Sequence, residues 1–166
     1  ESLITFSNWN YYQNKLITFP SAMTEDQAVS MRHLPQAIYD RGKSRTNKIE
    51  AETLVKNAVQ RMQSWLALPE DERPTLGVIT LNSQQQGLIQ DLFDQSLASQ
   101  PELEWFFDDA RIEPTVVKNL ENVQGDERDV MLFSITIGPD EIRRVTGEPT
   151  LNFGALNNEG GERRLN

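Results

Sequence analysis

A group of polar and acidic residues lies directly before an apolar run in the last third of the chain. The polar part, which we call the Gln-Gly loop, reads Gln124-Gly125-Asp126-Glu127-Arg128-Asp129, and the apolar part reads Val130-Met131-Leu132-Phe133. Carboxylates accept hydrogen bonds from the hydroxyl groups of a ligand, and glycine lets the backbone approach a ligand closely. The loop is therefore either a solvated turn or part of a ligand site.

Two other segments resemble parts of the motifs that bind phosphate or magnesium in nucleotide-binding proteins. Arg41-Gly42-Lys43-Ser44 resembles the end of a phosphate-binding P-loop, but the pattern needs a glycine five residues before Gly42, and that residue is Ala37. We therefore expect a cationic turn. Trp105–Asp109 is an apolar run ending in two acids, as in a magnesium-binding strand end. Without a P-loop it has no partner, so we expect a structural role or a loop.

Composition limits the other classes of function. The chain has 166 residues, 37% of them hydrophobic, which is enough for one domain with a core. It has one histidine, His33, and no cysteine, which excludes histidine and thiolate metal clusters and fits a reducing cytoplasm. No base lies in a pattern with a nucleophile, so a self-contained small-molecule enzyme ranks last.

Charge and hydropathy bear on partners. The net charge of −9 argues against a generally basic nucleic-acid coat, although a local basic groove remains compatible with it. The sequence has no apolar run of about 18 residues, so no membrane span is predicted. The chain begins at Glu1 without an initiator methionine, and we expect residues 1–166 to be one domain of a larger protein.

Hydrophobic periodicity predicts alternating strands and helices. Helices are expected over residues 2–13, 48–68 and 84–98. Strands are expected over residues 37–39, 76–81, 115–118 and 130–137. Thr46 or Asn47 can cap the second helix, and Asn47 with Glu50 three residues later fits a capping box. This alternation is typical of an α/β domain with a mainly parallel sheet covered on both faces. Ligands of such sheets bind at the carboxyl ends of the strands, so the candidate ligand loops are 40–47, 82–85, 119–127 and 138 onward, and the Gln-Gly loop is expected at this edge. The tail from Gly138 is expected to be irregular.

Three segments in order resemble motifs of one family: residues 77–85 (GVITLNSQQ), 119–130 (NLENVQGDERDV) and 160–166 (GGERRLN). They are similar to the second RecA-like lobe of superfamily 1 DNA/RNA helicases, in the bacterial branch akin to the nonsense-mediated-decay helicases. Residues 2–16 and the Asn47, Glu50-Ala51 pattern are similar to further elements of that lobe. The resemblance implies a three-layer RecA-like domain of the P-loop NTPase type that lacks its own P-loop and ends inside motif VI. Leu81, Asn82, Asn119 and Val123 depart from the family pattern.

The resemblance also implies a set of site residues. Nucleotide-binding residues would be Gln124, Gly125, Glu127, Arg163 and Arg164. Residues that contact nucleic acid would be Thr80, Gln85 and Asn119. The catalytic set would be incomplete, because ATP and Mg2+ are held mainly by the first lobe, and no metal ligand is expected in this chain. On the alternative interpretation, Glu127 and Asp129 simply pair with Arg128 and Lys118.

The function expected from the resemblance is that of a motor lobe in an ATP-dependent helicase, with a DNA helicase as the expected type. Its partners would be single-stranded DNA or RNA and the first RecA-like lobe of the same protein, with no membrane and a cytoplasmic location. The isolated chain would be inactive. The alternative is a non-catalytic RecA-like domain that binds nucleic acid or protein as a scaffold.

Overall fold

The computed structural model describes residues 8–9, 13–15, 29–123, 125–147 and 157. Its strands are β1 (Leu76–Thr80), β2 (Val116–Asn119) and β3 (Val130–Ser134). Its helices are α1 (Lys48–Trp65), α2 (Ser83–Ser99) and α3 (Glu141–Thr146), with 3-10 turns at Glu70–Glu72 and Pro101–Phe107. The predicted α/β class is confirmed.

The three strands form one parallel sheet in the order β2-β1-β3. Val78 in the central strand is opposite Val117 on one side and Leu132 on the other. Because all three strands run the same way, their carboxyl ends meet at one edge of the sheet, where parallel sheets bind ligands. The predicted parallel arrangement is confirmed.

Helices α1 and α2 pack side by side on one face of the sheet. The buried positions of α1 recur every three or four residues, which gives a helix one apolar face: Ala51, Val55, Ala58, Val59 and Met62. They join Phe93 of α2 and Val78 of β1 in a single core, and Met62, Ile89 and Phe93 have no exposed surface. Burial of each large side chain stabilises the fold by about 1.5–3 kcal/mol.

The opposite face carries the alternate residues of the strands, including Gly77, Met131 and Phe133. Met131 and Phe133 are 37% and 41% exposed. A Cβ at Gly77 would lie 2.7 Å from the Met131 sulfur, so a larger residue at this position would require the flexible Met131 side chain to move. The two long helices that the structure describes, α1 and α2, both pack on the face that carries Val78, not on the face that carries Met131 and Phe133.

The first and last predicted strands differ from the structure. Residues 37–39 join no strand ladder, although Ala37 and Tyr39 are buried and the Tyr39 N–H donates to the Pro139 carbonyl at 3.1 Å. Strand β3 ends at Ser134, three residues earlier than predicted, and Thr136 has φ +62°, a left-handed conformation that interrupts a regular extended strand. The predicted helix 2–13 lies outside the described residues except for Asn8 and Trp9, which are helical.

Trp105 has the structural role that the sequence indicated. Its ring lies between two guanidinium groups, with Arg111 Cζ 3.4 Å and Arg73 Cζ 4.5 Å from the ring centroid. Burial lowers the pKa of Arg111, and the charge of Arg73 lowers it further. Neighbouring Phe106 is 2% exposed in the core.

Within the described ranges, no helix has the length and apolar character needed to cross a membrane. In the same part of the chain, no three histidine, aspartate or glutamate side chains are grouped so that they could hold a metal ion.

Candidate functional site at the carboxyl edge of the sheet

Polar residues end all three strands at the carboxyl edge. Thr80, Asn119 and Ser134 are the last residues of β1, β2 and β3, and the register places them side by side. Thr80 and Ser134 have no exposed surface, and Asn119 is 9% exposed. Buried polar groups cost free energy unless they are hydrogen-bonded, so each of these residues needs partners.

Gln85 of α2 supplies part of that network. Its Oε1 accepts a hydrogen bond from the Asn47 N–H at 2.8 Å, and its Nε2 donates to the Asn47 carbonyl at 3.1 Å. The same Nε2 also lies 3.2 Å from the Ser134 hydroxyl. Gln85 therefore joins the first turn of α2 to the start of α1 and to the end of β3.

Glu50 ties α1 to the same strand end. Its Oε1 accepts from the Ser134 hydroxyl at 2.8 Å and from the Thr136 N–H at 2.9 Å. The predicted capping box is thus only half formed. Asn47 Oδ1 accepts from the Glu50 N–H at 3.3 Å, but the Asn47 N–H donates to Gln85 instead of Glu50.

Thr80 and Asn119 are also engaged within the protein. The Thr80 hydroxyl donates to the Asn82 carbonyl at 2.8 Å, and Asn82 rather than Gln85 caps α2 by accepting from the Gln85 N–H at 2.7 Å. Asn119 Oδ1 accepts from the N–H groups of Glu121 and Asn122 at 3.1 Å. The predicted nucleic-acid residues Thr80, Gln85 and Asn119 are therefore brought together, and their nucleic-acid contacts stay a prediction.

The Gln-Gly loop leaves this edge and crosses the face of the sheet opposite α1 and α2. Asp126 pairs with Lys118, which is in register with Ile79 on that face. Arg128 donates to the Pro114 carbonyl at 3.1 and 3.2 Å, before the start of β2. The expectation that this whole loop lies at the carboxyl edge is wrong, because its pairings draw it towards the amino ends of the strands.

Asp129 fixes the far end of the loop. Its Oδ2 accepts from the Thr75 N–H at 2.8 Å and from the Thr75 hydroxyl at 2.9 Å, immediately before β1. The backbone hydrogen bond from Thr75 is the main cause that lowers the pKa of this carboxyl. The alternative interpretation, in which Glu127 and Asp129 pair with Arg128 and Lys118, also differs from the structure, because Lys118 pairs with Asp126.

Gly125 and Glu127 remain open to solvent. Gly125 has φ +75°, the left-handed conformation that favours glycine, and a Cβ there would meet no atom within 4 Å. The turn conformation, rather than crowding within the chain, requires this glycine. Glu127 is exposed, and its carbonyl accepts from Arg128 Nη1 at 2.6 Å.

A second charged loop, Asp40–Thr46, lies at the carboxyl edge, and we call it the basic loop. The Asp40 N–H donates to the Thr46 carbonyl at 2.9 Å, and the Arg45 carbonyl accepts from Asn82 Nδ2 at 3.2 Å. The Asp40 carboxylate accepts hydrogen bonds from the N–H and the hydroxyl of Ser44. Both bonds lower the pKa of Asp40, and the bond from the backbone N–H has the larger effect. The predicted cationic turn at 41–44 is confirmed.

Comparison with known proteins places the chain in a family. The sequence pattern of the AAA domain family matches residues 1–166. The chain belongs to the AAA domain family. This AAA domain is 38% identical over 168 residues to the uncharacterized ATP-dependent helicase MG140 of Mycoplasma genitalium, covering 99% of the chain and 13% of that protein. It is 32% identical over 169 residues to the uncharacterized ATP-dependent helicase MG140 homolog of Mycoplasma pneumoniae, covering 99% of the chain and 14% of that protein.

The family is of the P-loop NTPase type, and the parallel sheet of this AAA domain is consistent with a RecA-like domain. The chain spans only 13% and 14% of the lengths of these two relatives. Three predicted nucleotide-binding residues, Gln124, Arg163 and Arg164, lie outside the described residues. Their roles, like those of Gly125 and Glu127, stay predictions.

Sequence reasoning missed much of the buried network in this AAA domain. Glu50 was expected only to cap α1, and Ser134 and Thr136 were expected only as strand residues. A serine and a threonine at the end of an otherwise apolar strand were the available signal, because buried hydroxyls need partners from another element.

Proposed function

We propose that this chain is the second RecA-like motor lobe of an ATP-dependent nucleic-acid helicase, with DNA as the expected substrate. The observation that carries the proposal is the match of 99% of the chain, at 38% and 32% identity, to two proteins named ATP-dependent helicases. The parallel sheet also supports the proposal, because the first helicase-like motif lies on β1 and the second, which contains the Gln-Gly loop, connects β2 to β3 in the same sheet.

In this proposal Gly125 and Glu127 face the bound nucleotide. The residues fit that role, because Gly125 leaves open space beside the backbone and Glu127 exposes a carboxylate that can accept from a ribose hydroxyl. Gln124, Arg163 and Arg164 complete the set, with the arginines donating to phosphate. ATP hydrolysis supplies the free energy for movement, and Mg2+ is held by the first lobe.

Asp126, Arg128 and Asp129 hold the Gln-Gly loop in place for this contact. Asp126 pairs with Lys118 in β2, Arg128 donates to the Pro114 carbonyl before β2, and Asp129 accepts from Thr75 before β1. A loop fixed at several points on a rigid sheet keeps Glu127 in one position, and such positioning is a main source of catalytic power.

The carboxyl edge faces the single strand in the same proposal. Asn119 and the backbone groups at the strand ends contact the sugar-phosphate backbone, which gives affinity without sequence choice. Gln85 and Thr80 act through the loops that they hold, since neither side chain has exposed surface. Closure of the cleft against the first lobe then moves this edge along the strand.

The test compares the isolated chain with a longer protein that contains both lobes. We expect nucleic-acid-stimulated ATP hydrolysis and strand displacement from the longer protein, and neither from residues 1–166 alone. ATP hydrolysis by the isolated chain would refute the half-site assignment. A longer protein that binds single strands but never hydrolyses ATP would favour the scaffold function instead.

A further inference from the structure

The basic loop contains a cation, Arg41, that no described residue of the chain neutralises. Arg41 Nε and Nη2 are buried, and neither has a hydrogen-bond partner; they are the only such side-chain atoms found in the described part of the chain. A guanidinium is always charged, and burial of a charged donor without an acceptor costs free energy. An acceptor for Arg41 is therefore missing from the described part of the chain.

The surroundings of Arg41 are positively charged. The basic loop holds three cations, Arg41, Lys43 and Arg45, and one acid, Asp40, in a chain whose net charge is −9. The Asp40 carboxylate is already occupied by the N–H and hydroxyl of Ser44 at 3.1 and 2.8 Å. The missing acceptor is accordingly an anion from outside the loop.

The loop is held firmly and in a place where ligands bind. Asn82, which follows β1, donates to the Arg45 carbonyl, and Asn47, next to the loop, donates from Nδ2 to the Thr136 carbonyl at 3.3 Å. Tyr39, on its other side, is bonded to Pro139 after β3. Arg41 thus belongs to the carboxyl edge of the sheet, where α/β domains bind their ligands.

We infer that Arg41, assisted by Lys43 and Arg45, is a phosphate-binding site at the carboxyl edge. The guanidinium donates from Nε and Nη2, a pair of parallel donors that matches two phosphate oxygens. The phosphate belongs either to the nucleic-acid backbone or to a nucleotide. That choice of ligand rests on the proposed function, whereas the need for an anion rests on Arg41 alone.

The key variant is Arg41→Met, which removes the charge and keeps an apolar stem. Its matched control is Arg61→Met on α1, where an exposed arginine donates to Asn57 Oδ1 at 2.9 Å. Without ligand, we expect Arg41→Met to melt at the same temperature as the wild-type chain or higher, because an unpaired buried charge is lost. Inorganic phosphate should raise the melting temperature of the wild-type chain and of Arg61→Met more than that of Arg41→Met.

Two binding assays identify the source of the phosphate. The affinities for a labelled oligothymidylate and for a fluorescent ATP analogue are measured across a range of salt concentrations. Arg41→Met should weaken one of them by about tenfold, the value of one charge-assisted hydrogen bond. If the strand is the ligand, the slope of affinity against salt should also fall by about one.

The possible outcomes separate the two proposals. A clear drop in the melting temperature of Arg41→Met without ligand would overturn the inference, because it would mean that the protein supplies the acceptor. Unchanged phosphate stabilisation, or unchanged affinity for both probes, would overturn it too. If a longer protein that contains both lobes binds neither probe, while the wild-type chain still responds to phosphate through Arg41, the site stands and the proposed function fails.

Discussion

Gln85 and Asn47 form a two-way hydrogen bond across 38 residues of sequence, with the Gln85 amide both accepting from the Asn47 N–H and donating to the Asn47 carbonyl. The Gln85 side chain thereby hydrogen-bonds both the N–H and the carbonyl of Asn47, as the backbone of a neighbouring strand does in a sheet. Asn47 is 3% exposed and Gln85 has no exposed surface, so water cannot substitute for either partner.

Gln85→Ala should therefore destabilise the chain by about 1–3 kcal/mol, because it leaves the buried Asn47 N–H without a partner. The Asn47 carbonyl keeps its hydrogen bond from the Ala51 N–H at 3.0 Å. Chemical denaturation measures this change. Gln84→Ala, at an exposed position of the same helical turn, is the matched control and should change stability by less than about 0.5 kcal/mol. Equal stability of the two variants would mean that the pair contributes little.

Glu50→Gln should be milder than Glu50→Ala. Glutamine keeps an oxygen that can accept from the Ser134 hydroxyl and the Thr136 N–H, whereas alanine leaves both donors unsatisfied at a cost of about 1–3 kcal/mol. Denaturant midpoints of the two variants provide the measurement. If Gln is as damaging as Ala, the negative charge of Glu50 matters more than its acceptor geometry.

Asp129 should make the chain sensitive to acid. Its folded pKa lies below its usual value of about 3.9, so its contribution to stability is complete above that pH and is lost as the pH falls through the folded pKa. The effect is small because the carboxylate is exposed. Stability measured from neutral pH to below about pH 4 should fall more for the wild-type chain than for Asp129→Asn. Parallel curves would exclude Asp129 as the source.

Much of the fold could be predicted from the sequence because its signals are local. The apolar periodicity of α1 and the start of this helix at Asn47 predicted it to within three residues. β1 and β2 were each predicted to within one residue at either end. These elements follow from helix capping and from the run lengths of apolar residues, which need no knowledge of distant contacts.

The errors came from long-range contacts. Residues 37–39 have a strand-like composition, but their only described backbone link to the segment after β3 is Tyr39 to Pro139, so no ladder forms. Strand β3 was extended too far because nothing local reveals that Glu50, 86 residues away in sequence, binds the Thr136 N–H. The path of the Gln-Gly loop was missed for the same reason, since Thr75 holds Asp129 across 54 residues.

Gly125→Ala should impair activity of the longer protein more than it impairs folding. A Cβ meets no atom of the chain, so the folding cost is limited to the left-handed φ of +75°, about 1–2 kcal/mol. At a nucleotide-facing loop the same methyl group would obstruct the ligand. The Michaelis constant for ATP should therefore rise in steady-state assays. An unchanged constant would place Gly125 away from the nucleotide.

If the Gln-Gly loop is half of an ATP site, as proposed, then Glu127 is the residue whose removal should affect ATP hydrolysis most. The measurement is the rate of nucleic-acid-stimulated ATP hydrolysis by the longer protein carrying Glu127→Ala, with Glu102→Ala, an exposed glutamate in the Pro101–Phe107 turn, as the matched control. We predict that Glu127→Ala remains folded and loses at least about tenfold in rate, the value of one hydrogen bond to a charged group, while Glu102→Ala hydrolyses ATP normally. Undiminished hydrolysis by folded Glu127→Ala would mean that the Gln-Gly loop does not form part of the ATP site.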